Sequence, residues 1–227
     1  AVREGKEKTA EFERGVLTQD HKETKTTEEN GTLVTFVPDD KIFKNFHFVQ
    51  EYLDNQFWNY CYLNAGLVMN LNNKRYVSKN GLLDLLQRKT NEDEIRYPII
   101  HLKGEDIEVA LTHENDYGEE YYSFVNGQFT TQGGTHLAAF REALIKTIRE
   151  FYKKDYDATD IRGSVCAALS VRVQEPVFES QTKTKLGSQT VYDGGPSMRN
   201  FIGDFLGKEL NNFLHKNPET AEALKKR

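Results

Sequence analysis

Ser164-Val165-Cys166-Ala167-Ala168-Leu169-Ser170-Val171-Arg172-Val173-Gln174-Glu175-Pro176-Val177-Phe178-Glu179-Ser180-Gln181-Thr182-Lys183-Thr184-Lys185-Leu186-Gly187 decides how the rest of the chain is read. Val165, Ala167, Leu169, Val171 and Val173 alternate strictly, so Ser164–Val173 is expected to be a strand with one face in a core. Past it the composition turns polar and ends in a loop carrying Lys183 and Lys185. A lysine ammonium is a compact charge on a long stem, and Gln181 beside it supplies an amide donor. That pair suits the terminal phosphate of a nucleotide, whose charge is spread over several oxygens. By composition alone, an ordinary solvated loop accounts for the same residues.

Upstream, Leu137, Phe140, Leu144, Ile148 and Phe151 recur at helical spacing, which predicts a helix opened by Gly133-Gly134 with Thr135 as its N-cap. Before it, Tyr97–Leu102, Asp106–His113 and Glu119–Val125 read as a β-meander. Earlier still, Phe46, Val49, Leu53, Phe57 and Tyr60 predict a helix ended by Asn64-Ala65-Gly66. Leu67–Leu71 reads as a strand closing on the Asn72-Asn73 turn, and Gly81–Arg88 as a short helix. Residues 1–17 are polar, Thr18–Asn30 has the composition of an exposed hairpin or loop, and Leu33–Val37 is a β-prone run stopped by Pro38-Asp39-Asp40. Downstream, Gly187–Pro196 reads as a flexible connection and Ser197–His215 as a terminal helix with Phe201, Phe205, Leu210 and Phe213 apolar. The fold class is therefore α+β in two parts, with the boundary in the polar stretch Lys89–Glu94.

The chain has 227 residues, 37% hydrophobic and 29% charged, enough for one large or two small domains. No run approaches the eighteen apolar residues of a membrane span and no signal peptide opens it, so a cytoplasmic protein without membrane contact is expected. Its first residue, Ala1, leads straight into charged sequence, which suggests a piece of a longer protein. Cys61 and Cys166 lie in apolar stretches and read as reduced core residues. The six histidines form no HxH or HExxH pair, so no metal centre is expected. Nor is there a GxSxG, GxxxxGK[ST] or GxGxxG. The net charge of −5 argues against a general polyanion binder, but it is uneven. Residues 93–132 carry two basic and nine acidic side chains, and residues 133–227 fifteen basic and twelve acidic, so contact with phosphates should be local and in the second half.

Four segments occur together in order: Arg3-Glu4-Gly5-Lys6; Gly31-Thr32-Leu33-Val34-Thr35-Phe36 with Pro38-Asp39; Gly133-Gly134-Thr135-His136 with Phe140-Arg141; and Gln181-Thr182-Lys183-Thr184-Lys185-Leu186. In this arrangement the chain resembles the B subunits of bacterial type II DNA topoisomerases over nearly its whole length. Thr130–Phe140 and Asp160–Ser164 are more similar to the topoisomerase IV branch than to gyrase. The resemblance implies that residues 1–92 are the C-terminal part of a GHKL (Bergerat) ATPase fold. Residues 93–227 would be a transducer domain of the ribosomal protein S5 domain 2-like class.

On that resemblance Gln181 and Lys183 would reach the ATP γ-phosphate, with Lys183 the one residue here expected to take part in catalysis. Thr32 and Arg3 would belong to the nucleotide pocket. ATP and Mg2+ would serve the complete protein. Its partners would be the topoisomerase A subunit, a second B subunit joined on ATP binding, and double-stranded DNA passed through an ATP-operated clamp. Arg141, and the stripe Lys146, Arg149 and Lys153 at helical spacing, are candidate DNA contacts, interleaved with Glu142 and Glu150 as on any charged helix face. The family's general-base glutamate, magnesium-binding asparagine, DxGxG motif and glycine-rich lid have no counterpart in these residues. The chain alone is therefore expected neither to hydrolyse ATP nor to bind it tightly, with Gln181 and Lys183 exposed and mobile. The rival readings are a non-enzymatic S5-like nucleic-acid-binding module and the transducer of another GHKL ATPase.

Overall fold

A computed structural model describes residues 1–226. Packing divides them into two units, residues 1–50 and 51–227. The first unit is a set of short strands: β1 (Val2–Arg3), β2 (Lys6–Glu7), β3 (Ala10–Glu13), β4 (Val16–Asp20) and β5 (Thr24–Lys25). β1, β2 and β5 form one antiparallel sheet and β3 and β4 a separate hairpin. No side chain in residues 1–50 is buried. The expected strand Leu33–Val37 is not one. Its residues have no ladder partners, Leu33 is 87% and Val37 90% exposed, and a β-prone run with no neighbour to pair with has nothing to hold it in a sheet.

The second unit opens within α1 (Gln50–Leu63), at its second residue, and continues with the hairpin β6 (Val68–Leu71) and β7 (Lys74–Val77), and α2 (Leu82–Lys89). The helix expected from Phe46 starts at Gln50, because residues 46–49 lie outside the helical segment. Five further strands follow: β8 (Ile100–Gly104), β9 (Ile107–His113), β10 (Glu120–Val125), β11 (Gln128–Phe129) and, after α3 (Thr135–Tyr152) and α4 (Ala158–Arg162), β12 (Val165–Val171). α5 (Met198–Lys216) and α6 (Pro218–Lys225) end the described chain.

These five strands form one sheet in the order β11-β10-β12-β9-β8, and this corrects the meander. β8 and β9 are a hairpin, but β12 enters between β9 and β10, antiparallel to the first and parallel to the second. The physical reason lies in the composition of the strands. β12 is apolar on both faces and takes the centre, whereas β10 begins with Glu120 and half-exposed tyrosines and suits a more peripheral place. Val165, Ala167, Leu169 and Val171 meet α3 and α5 on one side of the sheet. Cys166 and Ala168 join Ala110 and Phe124 under Leu82, Leu85 and Leu86 of α2 on the other. The strand therefore has two buried faces rather than the single one expected. Its small residues are what let α2 approach. Cys61 and Cys166 are free and buried, as expected.

Three details of the helices differ from the sequence reading. α3 begins at Thr135 with Gly134 as N-cap, and the Thr135 hydroxyl donates not to the helix but to the Ser188 carbonyl at 2.6 Å. α5 buries Met198, Ile202, Leu206, Leu210 and Leu214 rather than an aromatic face. Phe201, Phe205 and Phe213 flank the core, half-buried, because the stripe with steady spacing of four meets the sheet squarely. α6, unforeseen, is started by Pro218 at its first turn. Packing divides the chain between Gln50 and Glu51, and α1, past its first residue, and α2 lie in the second unit.

Candidate functional site

The segment after β12 is held before it becomes a loop. Asn126, in the left-handed region between β10 and β11, donates through Nδ2 to the Val173 carbonyl at 2.7 Å and accepts from the Val173 amide at 2.8 Å. Its own amide donates to the Val171 carbonyl. Asn126 fixes where the chain leaves the sheet. Beyond it Phe178 and Leu186 form an antiparallel bridge and Glu179 N–H donates to Lys185 O at 3.0 Å, closing residues 178–186 into a small hairpin.

At the hairpin's tip Lys183 N–H donates to Ser180 O at 3.0 Å and the Ser180 and Thr182 hydroxyls meet at 2.7 Å. Lys183 has φ of 55°, a left-handed turn position that costs a β-carbon residue on the order of 1 kcal/mol. Gln181, Thr182 and Lys183 are exposed, and the tip takes its shape from its own hydrogen bonds.

The two lysines of the loop are electrostatically unlike. Lys185 is 3.0 Å from the Glu179 carboxylate. Lys183 has no carboxylate within ion-pair distance among the described residues, so its ammonium keeps its full field for an external anion. It lines a cavity of about 640 Å³ with Phe178, Asn126, Arg172, Tyr60 of α1 and Asn64 just past that helix. Arg172 adds a second cation, held only at 3.9 Å by Asp106. The donor set of one free ammonium, one guanidinium and amides fits an oxyanion.

The other expected residues are placed differently. Arg3 and Thr32 belong to the first unit, each one residue from the bridge in which Val2 and Gly31 exchange hydrogen bonds at 2.8 and 2.9 Å. Both are exposed, Arg3 is 3.9 Å from Glu4, and Thr32 is not in a strand. Arg141 and Arg162 share Glu119, at 2.8 and 3.2 Å, and Arg141 also lies over the Tyr121 ring at 5.6 Å. Burial, followed by the hydrogen bond to Glu119, pushes the Tyr121 phenol well above its ordinary range. Lys146 faces Glu150 at 3.9 Å, and Arg149 meets Asp155 at 3.1 Å while donating to the Tyr156 carbonyl. Lys153 caps α3 in a left-handed conformation and is exposed.

Asn126 and Arg172 escaped the sequence reading. The Asn126-Gly127 pair is a turn signal that marks the first, whereas nothing in the pattern singles out the second. One group of possible metal ligands occurs among the described residues: Glu114, Glu120 and Cys166, with their ligand atoms within 4.8 Å of one another. Burial, reinforced by the two carboxylates, pushes the Cys166 thiol up to about 12, and no further feature points to an ion there.

The family model described as DNA gyrase B matches residues 66–227. The B subunit of DNA topoisomerase 4 from Borreliella burgdorferi is 39% identical over all of this chain and 38% of its own length. The B subunit of DNA gyrase from Cytophaga aurantiaca is 32% identical, over 97% of this chain and 50% of its own. The chain thus spans half or less of these relatives. Among solved structures, the 43K ATPase domain of Thermus thermophilus gyrase B, in complex with an aminocoumarin, has a TM-score of 0.76 at 26% identity, covering 99% of this chain and 64% of that one. The topoisomerase IV ATP-binding domain of Francisella tularensis has a TM-score of 0.70 at 21% identity, covering 99% and 65%, and bears on the fold alone.

Proposed function

Because the chain belongs to the DNA gyrase B family, we propose that it is part of the ATP-operated clamp of a type II DNA topoisomerase, in which Lys183 and Gln181 report the presence of the ATP γ-phosphate. The observation that carries this reading is the contrast between the two loop lysines. Lys185 is neutralised by Glu179, and Lys183 is presented uncompensated at a shaped tip. Bound ATP with Mg2+ would supply the terminal phosphate, and Lys183 and Gln181 would bind and orient it. After hydrolysis the ammonium loses that anion, and the loop's preferred position changes with it.

In this reading residues 1–92 are the end of a GHKL nucleotide fold and residues 93–227 the S5-like transducer. Arg3 and Thr32 contribute to the nucleotide pocket. The partners are the A subunit, a second B subunit and double-stranded DNA, in the cytoplasm. The higher identity to a topoisomerase 4 relative than to a gyrase relative favours decatenation over supercoiling. For DNA, Lys153 is the strongest of the candidate residues, since Arg141, Lys146 and Arg149 each already face a carboxylate.

The test is strand passage by the complete enzyme carrying Lys183→Ala. ATP-driven decatenation should fall by at least about a hundredfold, as for loss of a charged transition-state contact, with subunit assembly and melting temperature unchanged. Undiminished decatenation overturns the reading. The 227-residue chain by itself should show no ATP turnover, because the general-base glutamate that the family resemblance implies for the complete protein has no counterpart in these residues.

A further inference from the structure

The glycine turn ahead of α3 and the lysine hairpin lie about fifty residues apart in sequence, yet they are bonded along their length. Gln132 N–H donates to Thr184 O at 2.9 Å, Leu186 N–H to Gly133 O at 3.0 Å, and Thr135 N–H to Leu186 O at 3.1 Å. The Thr135 hydroxyl completes the set on Ser188 O. Gly134, at φ of 130°, sits so close that a β-carbon there would stand 2.3 Å from Leu186 O, so only glycine permits the contact.

The turn is itself pinned from below. The Thr130 hydroxyl oxygen lies 2.8 Å from Ser123 O, 2.7 Å from Ser123 Oγ and 3.1 Å from His136 Nε2, so the start of the helix is hydrogen-bonded to β10 through this one side chain. His136 is wholly buried, and its Nδ1 has no partner.

We infer that the turn Gly133–His136 is the positioning device for Lys183: it fixes the return limb of the hairpin to the first turn of α3, so that the tip and the helix move as one body. The inference rests on the phosphate-sensing role of Lys183 proposed above, and it assigns to that site a mechanical output. The bonded limb begins at Thr184, immediately after Lys183, which leaves no slack residue between the ammonium and the helix. α3 in turn shares a core with α5, so a displacement at the tip is delivered to the helical layer rather than dissipated in the loop. Thr135 is then a positioning residue, acting on phosphate only through Lys183.

The experiment is a double-mutant cycle in the complete protein assembled with its partner subunit, reading steady-state ATP turnover. Thr135→Val removes the hydroxyl without changing volume, and should lower kcat about tenfold while leaving KM for ATP within about twofold. Thr135→Ser, which keeps the hydroxyl, should restore turnover. In a Lys183→Ala background Thr135→Val should cost nothing more, because its effect passes through that lysine. Equal losses in both backgrounds, or a failure of Thr135→Ser to rescue, overturn the inference. If Thr135→Val does not fold, Thr184→Val takes its place, since it breaks the weaker hydroxyl contact to Gln132 at the surface. The same non-additivity is then expected, and additivity is again fatal. A silent Lys183→Ala overturns the phosphate reading itself, and is seen before any turn variant is compared.

Discussion

Residues 1–50 and 51–227 use the same apolar residue types with opposite results. In the second unit Phe140, Leu144 and Leu169 are sealed between helices and a central strand. In the first, Leu33, Val34, Phe36 and Val37 are mostly exposed, and Phe36, Phe43, Phe46 and Phe48 meet one another edge to face without being buried. The difference teaches that apolar periodicity is a statement about demand. It becomes structure only where another element supplies the covering face.

The largest effect that would break this comparison is a core truncation. Phe140→Ala should cost about 3–5 kcal/mol in urea unfolding, whereas Leu33→Ala should stay within about 0.5 kcal/mol, as an exposed site does. Comparable losses would mean that the first unit is packed after all.

A smaller and more specific effect comes from pH. Burial pushes His136 down to about 4, so the folded state holds it neutral while the unfolded chain binds a proton near 6.5. As pH falls from 6.5 to 4 the unfolded state takes up the proton and the folded state does not, so stability is lost in that window, by at most roughly 3 kcal/mol. His136→Gln, which keeps a polar group able to pair with Thr130 and does not titrate, should flatten this part of the wild-type profile, and superimposable profiles would contradict the burial.

Smaller again is Glu119→Ala, which strips the shared carboxylate from Arg141 and Arg162. A loss of about 1–2 kcal/mol is expected for half-exposed partners, read as a shift of the urea midpoint. A midpoint unchanged within error would show that solvent already screens the cluster.

The second unit was legible where demand is met locally. α1, α2, α3, the β6–β7 turn and β12 follow from spacing and turn residues, because each finds its partner inside the chain. Strand order was not legible. Hairpin logic predicts neighbours, and nothing local says that β12 will enter between β9 and β10; only its two-sided apolarity, in Cys166 and Ala168, hints at the centre. At the site, the exposed position of Gln181 and Lys183 follows from composition. The pairing that separates Lys183 from Lys185 does not, since it depends on the Phe178–Leu186 bridge that brings Glu179 across. Thr135 shows the same limit. An N-cap was the local reading, and a carbonyl 53 residues away claims the hydroxyl instead.

The central claim is that Lys183 distinguishes a nucleotide with a terminal phosphate from one without. Calorimetric affinities of the complete protein for a non-hydrolysable ATP analogue and for ADP, each with and without Lys183→Ala, test it directly. The predicted result is a loss of at least about tenfold for the triphosphate, as for a removed charge-assisted contact, with ADP unchanged. An equal change for both nucleotides, or none for either, would contradict it.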